Sequence, residues 1–256
     1  MKTTGIQLEP QIIAETPSYL VLYKPPRMHT APLRSGVNLN PGENNTLLAW
    51  AALHFPEVDK IKGRKDIEGG LIHRLDYETQ GLVLCARTEK TLNVLLKQQE
   101  AGSIIKEYEA VSGTEEIKLP GFPPFPNIKQ NEQSTVIESA FRPYGKGQKA
   151  VRPLIEGNSN FSSNFSSYFK SGKVYQTEIF SRTETEGCCF FRLRIRKGFR
   201  HQIRCHLAWI SHPILNDPLY GIYEESPAAG FMALRAYSIA FTDPDTGKPL
   251  RISAAK

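Results

Sequence analysis

The 256-residue chain is 40% hydrophobic and 10% aromatic, enough apolar content to bury a full-sized core in one large domain or two small ones. Its formal charge of +6 and pI near 9.1 favour a polyanionic partner such as nucleic acid, although where the charge sits matters more than its sum. No run approaches the roughly twenty apolar residues of a membrane helix, and the N-terminal MKTTGIQLEP lacks the apolar core of a signal peptide, so a soluble cytoplasmic protein with no membrane partner is expected. Cys85, Cys188, Cys189 and Cys205 form no Cys-x-x-Cys pair, which favours buried thiols over a disulfide or zinc framework.

Tyr19-Leu20-Val21-Leu22-Tyr23 reads as a strand, stopped by Lys24-Pro25-Pro26 because proline has no N–H for the ladder. A long polar loop reaches about Asn45. Leu47, Trp50, Ala51 and His54 then recur at helical spacing and predict a short helix over residues 46–55, with Pro56 just beyond. After a charged loop through Lys65, residues 69–86 hold two short apolar runs separated by a polar turn. A helix is predicted from Thr88 to about Glu100, with Leu92, Leu95, Leu96 and Gln99 as its stripe and Gly102 as its stop.

Residues 106–111 read as a strand with Lys106, Tyr108 and Ala110 on one face. The proline-dense stretch 119–127 and the Ser, Asn and Phe-rich stretch 156–173 read as loops, the second as an ornate surface loop in preference to a mobile flap. Residues 190–197 alternate apolar and cationic side chains, as a half-buried strand with an arginine face would. A helix is predicted over residues 200–210, with Ile203, Leu207 and Ile210 inward and Arg200 and Arg204 four apart on another side. Residues 232–241 and 250–253 supply further strands, and there is no internal repeat.

The polar turn carries a long and specific motif. His73-Arg74-Leu75-Asp76-Tyr77-Glu78-Thr79-Gln80-Gly81-Leu82 resembles the His-Arg-Leu-Asp-x-x-Thr-Ser-Gly-Leu signature of RluA-type pseudouridine synthases. The resemblance extends over most of the chain: a strand followed by Lys-Pro at Tyr19 to Met28, Lys106-Glu107-Tyr108-Glu109-Ala110 for the family's Lys-x-Tyr-x-Ala, His201-Gln202-Ile203-Arg204-Cys205-His206-Leu207 for its His-Gln-Ile-Arg-x-His-Leu, and Asp217-Pro218-Leu219-Tyr220-Gly221 after it. Gln80 stands where serine is usual, Phe199-Arg200 replaces Arg-Thr, Asn216 replaces glycine and Arg235 replaces histidine. None of these is the nucleophile; they bear on which RNA is recognised.

The resemblance implies an α+β fold, a mixed and largely antiparallel β-sheet with flanking helices and a central RNA-binding cleft, forming one catalytic domain over residues 1–256. Too few residues precede Tyr19 to hold the family's N-terminal S4-type domain. The implied activity is isomerisation of uridine to pseudouridine in tRNA or rRNA, without cofactor or metal, by a monomer.

Breaking the bond between uracil N1 and the sugar and rejoining the base through C5 oxidises nothing and loses nothing. A carboxylate suits this chemistry, because it can attack or stabilise an electron-poor sugar carbon and leave again. The resemblance makes Asp76 that carboxylate and Arg204 its ion-pair partner, converging from distant sequence positions. Tyr108 would stack on the extruded uracil and could accept a proton on a glycal route. Arg74 would fill the space that the base vacates, Leu234 would wall an apolar pocket, and His73 would order the loop without acting as a base.

Taken alone, Asp76 reads as a turn or capping residue, Tyr108 as a core tyrosine and Arg204 as a surface arginine. Arg192, Arg194 and Arg196 fit a solvated strand face as well as they fit RNA phosphates. His201 and His206 lack zinc-protease spacing. Two rival functions remain: a non-catalytic RNA-binding protein on the same scaffold, and a carboxylate glycoside hydrolase, for which no second acid is identified.

Overall fold

Apolar runs and capping residues place the elements of the computed structural model, which describes residues 8–33, 45–124, 129–130, 134–154, 173–221 and 230–254. In chain order these are β1 (Gln11–Glu15), β2 (Tyr19–Lys24), α1 (Leu47–His54), β3 (Gln80–Ala86), α2 (Glu89–Ala101), β4 (Ile105–Gly113), β5 (Lys129–Gln130) and β6 (Thr135–Tyr144). They continue with β7 (Ala150–Leu154), β8 (Tyr175–Thr185), β9 (Cys188–Ile195), α3 (Gln202–Trp209), β10 (Leu234–Thr242) and β11 (Pro249–Ser253). Strands joined mostly antiparallel, with few helices, make the α+β class expected from the sequence. The loop predicted over 156–173 lies outside the described residues except for Lys173. No helix among the described residues is long and apolar enough to cross a membrane.

The chain divides into two compact units, Met1–Glu107 with Arg235–Lys256, and Tyr108–Leu234. In the first, β1 pairs β2, β2 pairs β3 and β10 pairs β11, all antiparallel. β3 also pairs β10 in parallel, with Gln80 opposite Arg235 and Gly81 opposite Ala236. β2 is buried along its whole length and β3 from Gly81 onward, which is why both read as continuous apolar runs and not as alternating ones. Tyr19, Val21 and Tyr23 join Leu82, Leu84 and Ala86 in a core that Leu92 and Leu95 of α2 complete. Each fully buried leucine contributes about 1.5–3 kcal/mol. Thr88 caps α2 by accepting from the Thr91 N–H at 3.1 Å, and Gly102 ends it in the left-handed region at φ 75°, as the sequence predicts.

Gly81 is required by close packing. A Cβ there would lie 2.2 Å from the Ala236 carbonyl oxygen, and the residue holds φ +124°, a conformation that side chains disfavour.

Helix α1 forms where predicted, with Thr46 as its cap, but its buried side differs. Leu47, Leu48, Ala49 and Ala51 are buried, while Trp50 is half-buried and His54 exposed. It is the start of the helix that is covered, and the last turn reaches solvent.

The second unit is an antiparallel set in which β8 pairs β9 and β6, and β6 pairs β7 and β5. Helix α3 lies against β7 and β8 and closes a core of Phe141, Val151, Cys205, Ala208 and Tyr220. All eight residues of α3 are buried, in contrast to the predicted amphipathic helix with arginines on an outer side. Arg200 precedes the helix and is exposed. Arg204 is only 3% exposed, a burial that its ion pair makes tolerable.

Candidate active site

The motif turn lies in the first unit, between the isolated bridge at Leu71 and strand β3. Its backbone is held at several points. Buried Thr30 accepts a hydrogen bond from the Leu75 N–H at 3.1 Å and donates to the Leu75 carbonyl at 2.9 Å. One residue on, the Asp76 carbonyl accepts from the Thr79 N–H at 3.1 Å, which turns the chain back toward β3. The Asp76 side chain is half-buried.

Lys24, at the end of β2, is fully buried. Its ammonium donates to the carbonyls of Pro25 and Met28, both at 2.8 Å, and of Tyr77 at 3.2 Å. Burial pulls its pKa down to about 7, while the negative charges of Asp76 and then Glu78 oppose that shift. Lys24 therefore ties the β2 exit to the residue after Asp76 and places a titratable cation within the electrostatic reach of its carboxylate. Sequence reasoning missed this role. The signal was a lysine closing an apolar strand, where its charge must find buried oxygen partners.

His73 orders the same turn. Its Nε2 accepts from the Leu84 N–H at 3.3 Å, so the neutral ring carries its proton on Nδ1. Burial, and then the positive charge of Lys106, hold its pKa well below the usual histidine range. A ring that is neutral and bonded to backbone suits the predicted ordering role. Arg74 is exposed, with Nε 3.4 Å from the Glu68 carboxylate.

Tyr108 and Arg204 belong to the second unit. Tyr108 is buried in β4, with Lys106 and Ala110 at the alternate positions also buried, the face predicted by period two. Glu107 is buried as well, where it accepts from the Tyr237 hydroxyl and pairs with Arg251. Leu234 is 3% exposed at the start of β10.

Arg204 donates from Nε to Asp217 Oδ2 and from Nη2 to Asp217 Oδ1, each at 2.8 Å. The bidentate fork fixes the plane of the guanidinium. Asp217 is fully buried and also accepts from the Leu219 and Tyr220 N–H groups through Oδ1. Sequence reading recognised the Asp217-Pro218-Leu219-Tyr220-Gly221 motif without assigning the aspartate a task. Its task in this unit is to seat Arg204.

The arginine strand forms as β9. Phe191, Leu193 and Ile195 are buried, and Arg192 and Arg196 are exposed, with Arg194 half-buried. Acids meet two of these cations: Glu109 lies 3.3 Å from Arg192 and Glu178 lies 3.6 Å from Arg194.

The family model described as RNA pseudouridylate synthase matches residues 18–209. Ribosomal large subunit pseudouridine synthase D of Neisseria meningitidis serogroup B is 25% identical over 95% of this chain and 57% of its own length. Synthase D of Haemophilus influenzae is 27% identical over 93% of this chain and 64% of its own. Synthase C of Pasteurella multocida is 27% identical over 97% and 65%. The chain thus spans less than two thirds of the length of these curated relatives. Among solved structures, human RNA pseudouridylate synthase domain containing 1 superposes with a TM-score of 0.62 at 18% identity, covering 100% of this chain and 86% of its own. Human RNA pseudouridylate synthase domain containing 4 gives 0.58 at 17% identity, over 95% and 87%; both show the fold. With the motif turn, its supporting lysine and threonine, and a family match that runs from before β2 to the end of α3, the chain belongs to the RNA pseudouridylate synthase family.

Proposed function

We propose that this protein isomerises uridine to pseudouridine in tRNA or rRNA, with Asp76 as nucleophile. The observation that carries the reading is the bracing of the Asp76 turn: Thr30 holds Leu75, Lys24 holds Tyr77 and His73 holds Leu84. A turn fixed this way keeps a half-buried carboxylate in one place, which positional catalysis demands.

In the reaction, the Asp76 carboxylate attacks or stabilises the sugar carbon as its bond to N1 breaks. The uracil turns within the site, C5 bonds to the same carbon as any bond from Asp76 to it breaks, the C5 proton leaves and N1 gains a proton. On the glycal route a C2′ proton is lost to the phenolic oxygen of Tyr108 in its ionised form and returned from the hydroxyl so formed. No electrons are exchanged with any other group. Arg204 supplies the charge partner for the carboxylate, Tyr108 supports the extruded base, Leu234 walls the pocket, and Arg74 fills the gap left in the RNA. The protein acts in the cytoplasm as a monomer, so light scattering of the purified chain should return a mass near 28.8 kDa.

Asp76→Asn and Asp76→Ala should each abolish pseudouridine formation, read by chemical mapping of RNA incubated with purified protein, while leaving the protein folded. Full turnover by either folded variant sinks the assignment. RNA binding by the wild type with no base conversion selects the non-catalytic reading instead.

A further inference from the structure

The basic excess of this chain is concentrated at one place on the second unit. Residues 139–154 of the β6–β7 hairpin carry four cations and residues 196–200, the turn into α3, carry three, and neither segment has an aspartate or glutamate. The two segments are packed together. Phe199 stacks on Phe141 with ring centroids 4.9 Å apart and an interplanar angle of 6°, and it also touches Tyr175 at 5.1 Å. Arg200 donates to the Gln148 carbonyl at 2.7 Å and to the Ala150 carbonyl at 3.3 Å, so the turn before α3 is tied to the tip of the hairpin. Lys146, Lys149, Lys197 and Arg200 are all exposed. Beneath them Arg152 lies 4.2 Å from the Tyr144 ring centroid and Arg142 lies 5.3 Å from it.

The β9 face offers the contrast. Its arginines are interleaved with Glu109 and Glu178, which neutralise Arg192 and Arg194. A polyanion gains counterion-release energy from cations that are not already matched by acids. Two packed segments with no aspartate or glutamate of their own therefore attract phosphates more strongly than an ion-paired strand face.

We propose that the β6–β7 hairpin tip and the 196–200 turn form the phosphate-gripping surface for RNA, with Lys146, Lys149 and Lys197 as the contacts and Arg200 as the tie that holds the corner together. This rests on the reading that RNA is the substrate, and it moves the grip away from the arginine strand that the sequence singles out.

The test uses a fluorescein-labelled mixed-sequence RNA hairpin, with affinity measured by anisotropy between about 50 and 200 mM salt. Replacing three phosphate contacts in the combined Lys146→Gln, Lys149→Gln, Lys197→Gln variant should reduce the slope of log affinity on log salt by about 2–3 and weaken binding roughly ten-fold or more. The combined Arg192→Gln, Arg194→Gln variant should keep the wild-type slope. These lysines are exposed, so thermal melts of the triple variant should match the wild type. A triple variant with the wild-type slope, or a slope lost on replacing the arginine pair, overturns the proposal. Wild-type protein that binds with a steep slope dependent on the three lysines, yet forms no pseudouridine, refutes the catalytic reading while upholding this surface. Wild-type protein that does not bind the RNA overturns both.

Discussion

The Thr30 hydroxyl holds both backbone groups of Leu75, accepting from its N–H at 3.1 Å and donating to its carbonyl at 2.9 Å. The residue so held immediately precedes Asp76, and both hydrogen bonds of this exchange are buried. Thr30→Val keeps the shape and removes both hydrogen bonds, leaving a buried donor and a buried acceptor unsatisfied. The expected cost is about 1–3 kcal/mol for each group left unpaired, read as a lower urea midpoint. Turnover should fall by a larger factor than the unfolded fraction explains, because the Asp76 turn loosens before the unit unfolds. Thr30→Ser, which retains the hydroxyl, should restore both. Normal turnover in a folded Thr30→Val variant would remove the clamp from the argument.

Asp217 carries two duties at once, as the fork partner of Arg204 and the acceptor for the Leu219 and Tyr220 N–H groups. Asp217→Asn removes the countercharge from a buried guanidinium and should destabilise the protein by about 3–5 kcal/mol. The double variant Asp217→Leu, Arg204→Met removes both members of the fork, so its loss of stability should be smaller than the sum of the two single losses. Strict additivity in that cycle, measured by urea unfolding, would show that the pair is energetically independent despite its geometry.

How much of this was legible in the sequence follows from which interactions are local. Strands β2, β3 and β9 and helix α2 announce themselves through apolar period and capping residues that lie within a few positions of one another, such as Thr88 with Thr91 and Gly102 with Gln99. The Asp76 turn was found through a motif, and Gly81 within that motif has a direct physical cause in the Ala236 carbonyl 2.2 Å from where its Cβ would be. What periodicity could not give were the pairings across long separations: Thr30 with Leu75, Lys24 with Tyr77, Arg204 with Asp217. Helix α3 shows the limit clearly. Its arginine reads as an outward residue by helical spacing, and only a carboxylate thirteen residues later, supplied by a turn with no periodic signature, makes burial of that charge possible. The same holds for β9, where acids on β4 and β8 neutralise a face that looks purely cationic in its own segment.

Titration of buried groups should place the stability maximum at unusually high pH. Burial lowers Lys24 and Lys106 from 10.5 to about 7, so between those values the unfolded chain binds more protons than the folded one and stability rises with pH. His206, held between Thr177 and Ser139, is pulled from 6.5 to about 3 by burial; the same sign applies there, and stability falls as pH drops through that window. In the opposite sense, burial raises Cys85 from 9.0 to about 12 and Tyr19 from 10.0 to about 12. Above their unfolded values the folded chain retains protons that the unfolded chain has lost, and stability declines. The two sets cross at about pH 10, above the usual maximum between about pH 5 and 8. Urea midpoints measured from pH 5 to 11 should therefore peak at about 10, and Lys106→Met should flatten the rise above about pH 7 while leaving the acid limb in place. A wild-type peak near neutrality, or a rise that Lys106→Met does not alter, would show that these lysines stay charged at no cost inside the fold.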